Sequence, residues 1–360
     1  MGRRSLAVVT AAACISSGIA AIGAAQGPPD REALANNPPL FLAVARKALH
    51  WDEPTEPVKI VGPIYSVGTK GLSVFLIRTS EGLIIINTAM PGSGPMTVAA
   101  IRKLGLDPKD IKLLLTGHAH SDHAGAHAYL QKISGARVAV IKEEKDLLES
   151  GGKLDFHYAN YREYDFEPVK ADRVFADGDV IKLGDVAITT LLTNGHTKGS
   201  TTYVTQVVDN GKTCTVAFPN GLSINPGYRV AKDPSYPGIG DNFRRTLRIL
   251  DTLKPDIWLA PHAETYDFEG KRARVATEGV KAWVDPDGYR RWLAGQRENF
   301  EATVKKEMSA ASKEPLPVNV SNFARAETDL YFAKAVKDGG LGKLIHRRTM
   351  TRSQSRMSCA

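Results

Sequence analysis

The stretch TGHAHSDHAG, Thr116 to Gly125, places His118, His120, Asp122 and His123 within six consecutive positions. Imidazole nitrogen and carboxylate oxygen are ligands that zinc favours, and a catalytic zinc site keeps one position open for water or substrate. In an irregular turn, His118 and His120 can aim at one ion while Asp122 and His123 swing toward another. Each ion then lacks a ligand. His196 in TNGHTKGS and His262 in LAPHAE are the natural suppliers, which makes two sets of three. The alternative, a surface histidine cluster of no consequence, is disfavoured by spacing this specific. His50, His127, His157 and His346 are left outside the metal set. His127 falls on the helix expected after the motif, and His50 and His346 stand in polar contexts.

Residues so far apart meet only if rigid elements deliver them. His118 follows the apolar run IKLLLTG, His196 follows VAITTLLTNG and His262 follows DIWLAP, so each is expected where a strand hands over to a loop. Upstream, behind a Pro-rich lead (QGPPDREALANNPPL), VKIVG, IYSVGT, LSVFLIRT and GLIIINT read as a β-meander. MTVAAIRKLGL, AHAYLQKISGA and EEKDLLES have helical spacing, and RVAVIK reads as a strand. The second half repeats the scheme: strands in RVFADGDVIKLGDVAITTLLT and TTYVTQVVDNGKTCTVAF, the helix NFRRTLRILDTL, then the strand DIWLAPH. A long polar helix fits 276–312. Strands followed by helices, twice over, imply an α/β fold of two packed sheets with helices outside.

The chain has 360 residues, 42% hydrophobic and 24% charged, enough to bury a sizeable core. Its formal charge of +8 invites a nucleic-acid reading, but the charge sits at the ends. Arg3 and Arg4 precede any acid, and Lys343, Arg347, Arg348, Arg352 and Arg356 follow the last one, so 26–342 is close to neutral. No nucleic-acid partner is expected. MGRRS followed by the charge-free run LAVVTAAACISSGIAAIGA, with small residues Gly23 and Ala25, reads as a signal peptide over 1–25 cut near Ala25–Gln26. The expected location is periplasmic or secreted, with no membrane span after cleavage. A lipoprotein acylated at Cys14 is the lesser alternative, because the apolar stretch before it is short. Cys214 and Cys359 are not expected to pair.

HAHSDH is the HxHxDH signature, and with GHTKGS and APH the chain resembles the metallo-β-lactamase superfamily over roughly residues 50–310. Within it the chain is most similar to subclass B3, which uses histidine and aspartate in the second metal site where other lactamases use cysteine; FPNGLSINPGY contains no cysteine. GLIIINTAMPGS and DPSYPGIGDNFRRTLRILDTL also resemble that subclass. The resemblance implies an αββα sandwich over 26–312, followed by an extension with a basic tail over 313–360. It implies two zinc ions per chain, one held by His118, His120 and His196 and the other by Asp122, His123 and His262. The implied reaction is hydrolysis of a β-lactam amide by a metal-bridging hydroxide on a small-molecule substrate, in an expected monomer. Asp122 would orient the nucleophile. Tyr228 would donate to the developing oxyanion or, equally, pack beneath its loop. The aromatic loop LDFHYANYREYDF offers Phe156 and Tyr158 as apolar walls, or is a structural loop with buried aromatics.

Three positions depart from the superfamily pattern. Asn87 stands where an aspartate usually supports the histidine loop; an amide still accepts a hydrogen bond but carries no charge. Lys198 replaces a common proline and would add positive potential near the rim. Gly221 stands where many members carry serine, leaving Ser223 as the hydroxyl for a substrate carboxylate, with serine at 221 expected to be tolerated. The same site could serve another ester, an acyl-homoserine lactone or a glutathione thioester, and a zinc-binding scaffold with a vestigial site is the remaining alternative.

Overall fold

The computed structural model describes residues 31–309, and the expected signal peptide, Cys14, Cys359 and the basic extension lie outside the described residues. Two sheets form the body. The first runs β1 (Val58–Val61), β2 (Ile64–Ser66), β3 (Phe75–Thr79), β4 (Gly82–Ile86), β5 (Ile111–Leu115), β6 (Arg137–Ile141) and β7 (Arg173–Phe175), neighbours in chain order. β1 to β4 are the antiparallel meander expected, while β5, β6 and β7 join in parallel through helical crossovers. GLIII and IKLLL are nearly unbroken apolar runs because these central strands are covered on both faces. The second sheet has the order β12 (Ile257–Trp258), β11 (Lys212–Phe218), β10 (Thr201–Asp209), β9 (Val186–Leu192) and β8 (Val180–Leu183). At its edge, β8 alternates exposed and buried side chains, as a half-covered strand should.

The sheets meet face to face. Phe75 of β3 lies 5.1 Å from Phe218 of β11, and Tyr203 of β10 reaches across to donate its hydroxyl to the Thr116 carbonyl at 2.8 Å. Helices cover the outer faces: α3 (Gly94–Lys103), α5 (His127–Ser134) and α6 (Lys145–Glu149) belong to the first half, and α7 (Ile239–Thr252) to the second. α7 buries Ile239, Phe243, Leu247 and Leu250, a stripe at helical spacing. The αββα sandwich expected from the resemblance is the architecture found. Among the described residues no helix is long and apolar enough to cross a membrane.

Two elements differ from the sequence reading. The Pro-rich lead is helical: α1 (Arg31–Asn36) and α2 (Pro38–Ala48) flank Asn37, whose Oδ1 accepts the Leu40 N–H at 3.2 Å with Pro38 in the first helical position. The prolines start a helix here instead of preventing one. The single polar helix over 276–312 is replaced by α8 (Phe268–Glu278), a short 3-10 turn, and α9 (Pro286–Ser309). Pro286 cannot continue a helix from upstream, and Asp285 accepts the Gly288 N–H at 2.8 Å to begin a new one.

Candidate metal centre

The ends of β5, β9 and β12 deliver the histidines to one rim of the sandwich. After β5, His118 and His120 lie on a tight loop, and His120 begins the one-turn helix α4 (Ser121–Ala124), which carries Asp122 and His123. Asn87, just beyond β4, holds that loop: its Oδ1 accepts the Gly117 N–H at 2.9 Å, and its own N–H donates to Leu115 at 2.8 Å. Asn87 has φ of 62°, a left-handed conformation that asparagine tolerates better than most residues. The amide therefore makes the accepting contact expected of it.

Each histidine of the first set has one nitrogen fixed from behind. His118 Nδ1 donates to Asn220 Oδ1 at 3.0 Å, His120 Nε2 to Asp155 Oδ2 at 3.0 Å, and His196 Nδ1 to the Ser223 carbonyl at 2.8 Å. Those bonds select the tautomers and leave lone pairs on the opposite nitrogens. His120 Nδ1 and His196 Nε2 then face each other at 3.1 Å, and the buried His118 Nε2 has no partner. Ligand atoms of His118, His120 and His196 lie within 4.8 Å of one another. Nitrogens bound to one tetrahedral zinc would stand about 3.3 Å apart. The donor set fits a cation.

The second set converges on a carboxylate. Asp122 Oδ2 lies 3.0 Å from His123 Nε2 and 3.5 Å from His262 Nε2. His118, Asp122 and His123 form a second close group, so the two sets share a wall. His262 reaches it through Asp122, its ring 5.0 Å from that of His123 and 5.3 Å from Trp51. Burial would raise the Asp122 carboxyl, but His123 and His262 beside it hold it well below the usual range. Burial and the neighbouring His120 push His196 down to about 3. Both conditions keep Asp122 and His196 in the form a metal needs; at His120 burial works the same way, but Asp155 beside it raises the imidazole.

Three buried polar residues bonded to these histidines or to their loops gave no clear sign in the sequence. Asp155 is 4% exposed; burial works against its charge, yet His120 and the N–H groups of Tyr158 and His157 hold its carboxyl at about 2. Asn220 orients His118. Glu144 receives donors from two different ligand loops. Asp155 was legible only as one acid in an aromatic loop, and nothing in EEKDLLES sets Glu144 apart from Glu143.

The remaining candidates divide. Ser223 is exposed and lines the cleft with the metal-set residues, as does Tyr158, which stacks on Tyr164 at 3.9 Å and meets His120 edge-on at 5.4 Å. Phe156 does not line that cleft; it packs between Tyr228 and Tyr236 at 4.9 and 4.8 Å. Tyr228 is 5% exposed, and its hydroxyl donates to the His196 carbonyl at 3.2 Å. Lys198 turns away from the cleft, its ammonium 5.7 Å from the Tyr236 ring. The expectation for Gly221 is also corrected. Its φ is +93°, and a Cβ there would stand 1.8 Å from the Thr193 carbonyl oxygen, so serine does not fit. His127, whose Nδ1 lies 2.9 Å from the Thr88 hydroxyl, His157 and the exposed His50 stand outside the ligand groups.

The sequence model of the metallo-beta-lactamase superfamily matches residues 68–209. Among solved structures, the native FEZ-1 metallo-β-lactamase of Legionella gormanii is 34% identical, with a TM-score of 0.70 over 72% of this chain and 98% of that one. BJP-1, a subclass B3 metallo-β-lactamase of Bradyrhizobium japonicum, is 34% identical, with a TM-score of 0.68 over 72% of this chain and 97% of that one. The N-acyl homoserine lactonase AttM of Azorhizobium caulinodans is 27% identical over 169 residues, 44% of this chain and 57% of the relative. The chain spans less than two thirds of the length of the curated relatives it matches.

Proposed function

We propose that this chain, which belongs to the metallo-β-lactamase superfamily, uses two zinc ions to hydrolyse the amide bond of β-lactams. That it is a superfamily hydrolase close in structure to the subclass B3 enzymes is the premise. The observation that carries the metal reading is the convergence of three buried imidazoles: His120 Nδ1 and His196 Nε2 face each other at 3.1 Å beside an unpartnered His118 Nε2, all within 4.8 Å of one another. His118, His120 and His196 would hold one ion, and Asp122, His123 and His262 the other. When bound, such a pair supplies Lewis acidity and a water of lowered pKa. Asp122 Oδ2 faces His123 and His262, which leaves Oδ1 to orient the attacking water. Ser223, exposed in the cleft, offers its hydroxyl to the carboxylate beside the lactam nitrogen. Tyr158 supplies an apolar wall, its own hydroxyl engaged by Asn225 at 2.8 Å. The reading places a small molecule in the cleft of a periplasmic or secreted monomer.

A second reading rests on the similarity to a lactonase: the same centre would hydrolyse another ester, a lactone or a thioester. Elemental analysis should find about two zinc ions per chain. Nitrocefin and a carbapenem should be hydrolysed, a chelator should stop the reaction, and added zinc should restore it. Fast turnover of a lactone or thioester with inert β-lactams would leave the metallohydrolase standing and remove the lactamase.

A further inference from the structure

Glu144 is 1% exposed, and the centre described above gives it no chemical task. Its oxygens are taken by three donors from two loops. Oε1 accepts the Ala119 N–H at 2.7 Å, from the residue between His118 and His120. Oε2 accepts the Thr197 hydroxyl at 2.9 Å and the Gly199 N–H at 2.8 Å, from the loop that begins at His196. The approach is close enough to demand glycine at 199, where a Cβ would stand 2.4 Å from the Glu144 nitrogen and 2.6 Å from its Cβ.

We propose that Glu144 is a positioning residue that clasps the His118–His120 loop to the His196 loop and so presets the spread of the three histidines before an ion arrives. This rests on the metal reading above. Metal affinity depends on how little the ligands must reorganise, and groups that hold ligands in place typically change affinity when lost. A carboxylate is required because all three partners donate. Glutamine has one accepting oxygen, so its NH2 must point at Ala119 N–H or at Gly199 N–H, and one loop loses a backbone bond.

The test uses the full chain with and without zinc. Zinc affinity is measured by competition with a chromogenic chelator, and Tm is measured for both forms. Glu144→Gln should weaken the tighter zinc site by about 10- to 100-fold, and the rise in Tm on adding zinc should shrink. Glu144→Asp keeps the charge but loses reach, and should not restore affinity. Tyr289→Phe, which removes a hydroxyl bonded to the Leu250 carbonyl outside the centre, should lower Tm without changing zinc affinity. If Glu144→Gln does not fold, Thr197→Val removes one of the three donors and should weaken zinc by about fivefold. Wild-type zinc affinity in these variants, with Tm lowered equally in both forms, would reduce Glu144 to a structural residue and overturn the proposal. A wild-type chain that takes up no zinc would instead overturn the metal reading, and this proposal with it.

Discussion

At the residue scale, two neighbours on one loop have opposite tolerances. Ser223 reaches the cleft with its hydroxyl while its carbonyl is committed to His196. A hydrogen bond to a charged group contributes about 1.5–3 kcal/mol, so Ser223→Ala should lower kcat/KM on β-lactams by about one to two orders of magnitude. Zinc content should not change, because the carbonyl stays. A silent variant would leave the substrate carboxylate without this partner. Gly221→Ser should behave differently. Its backbone conformation and the Thr193 carbonyl at 1.8 Å from any Cβ mean the loop must move, at a cost of about 2–3 kcal/mol. A lowered Tm and reduced zinc content are expected, and a wild-type melting curve would contradict this account. The clustering of His118, His120 and His196, and of Asp122 with His123, was legible because imidazoles and a carboxylate at HxHxDH spacing have few other uses. Tyr228 was not, because a sequence does not say which way a phenol points; its hydroxyl faces the His196 backbone.

At the element scale, periodicity served well where one face is wet or a run is fully covered, as in β4, β5 and α7. It failed where local caps decide, at Asn37–Pro38 and at Pro286. The first failure concealed something useful. α2 sends Phe41 and Leu42 into the lining of the cleft, and Tyr164 ties the helix down through its hydroxyl on the Pro38 carbonyl at 2.7 Å. Phe41 belongs to a small cluster with Leu34, apart from the main core. The cleft holds about 100 Å³, well under the roughly 300 Å³ at which small-molecule sites begin. Phe41 and Leu42 of α2 are part of the wall a bicyclic substrate would meet. Phe41→Ala should loosen α2, with faster hydrogen exchange over 31–48 and a KM for bulky cephalosporins lower by up to about tenfold. An unchanged KM with faster exchange would show that α2 does not limit entry.

For the whole molecule, the buried core runs from Leu34 to Phe300, and the ligands come from three strand ends within it. Seven basic residues, Arg3, Arg4 and the five from Lys343 onward, lie outside that span in end stretches that contain no acid. Folding energy comes from buried apolar area, and the core over Leu34–Phe300 is large on its own, so the body should stand without the end segments. A chain trimmed to residues 26–312 is expected to keep the Tm and zinc content of the full chain. In a fractionated host, N-terminal sequencing should find a start near Gln26 outside the cytoplasm, since the basic start and the apolar run before it suit export better than packing. Retention of Met1 in the cytosol would refute the export reading. A trimmed chain that melts early would show that the ends carry part of the core, and that charge placement is a poor guide to where this domain stops.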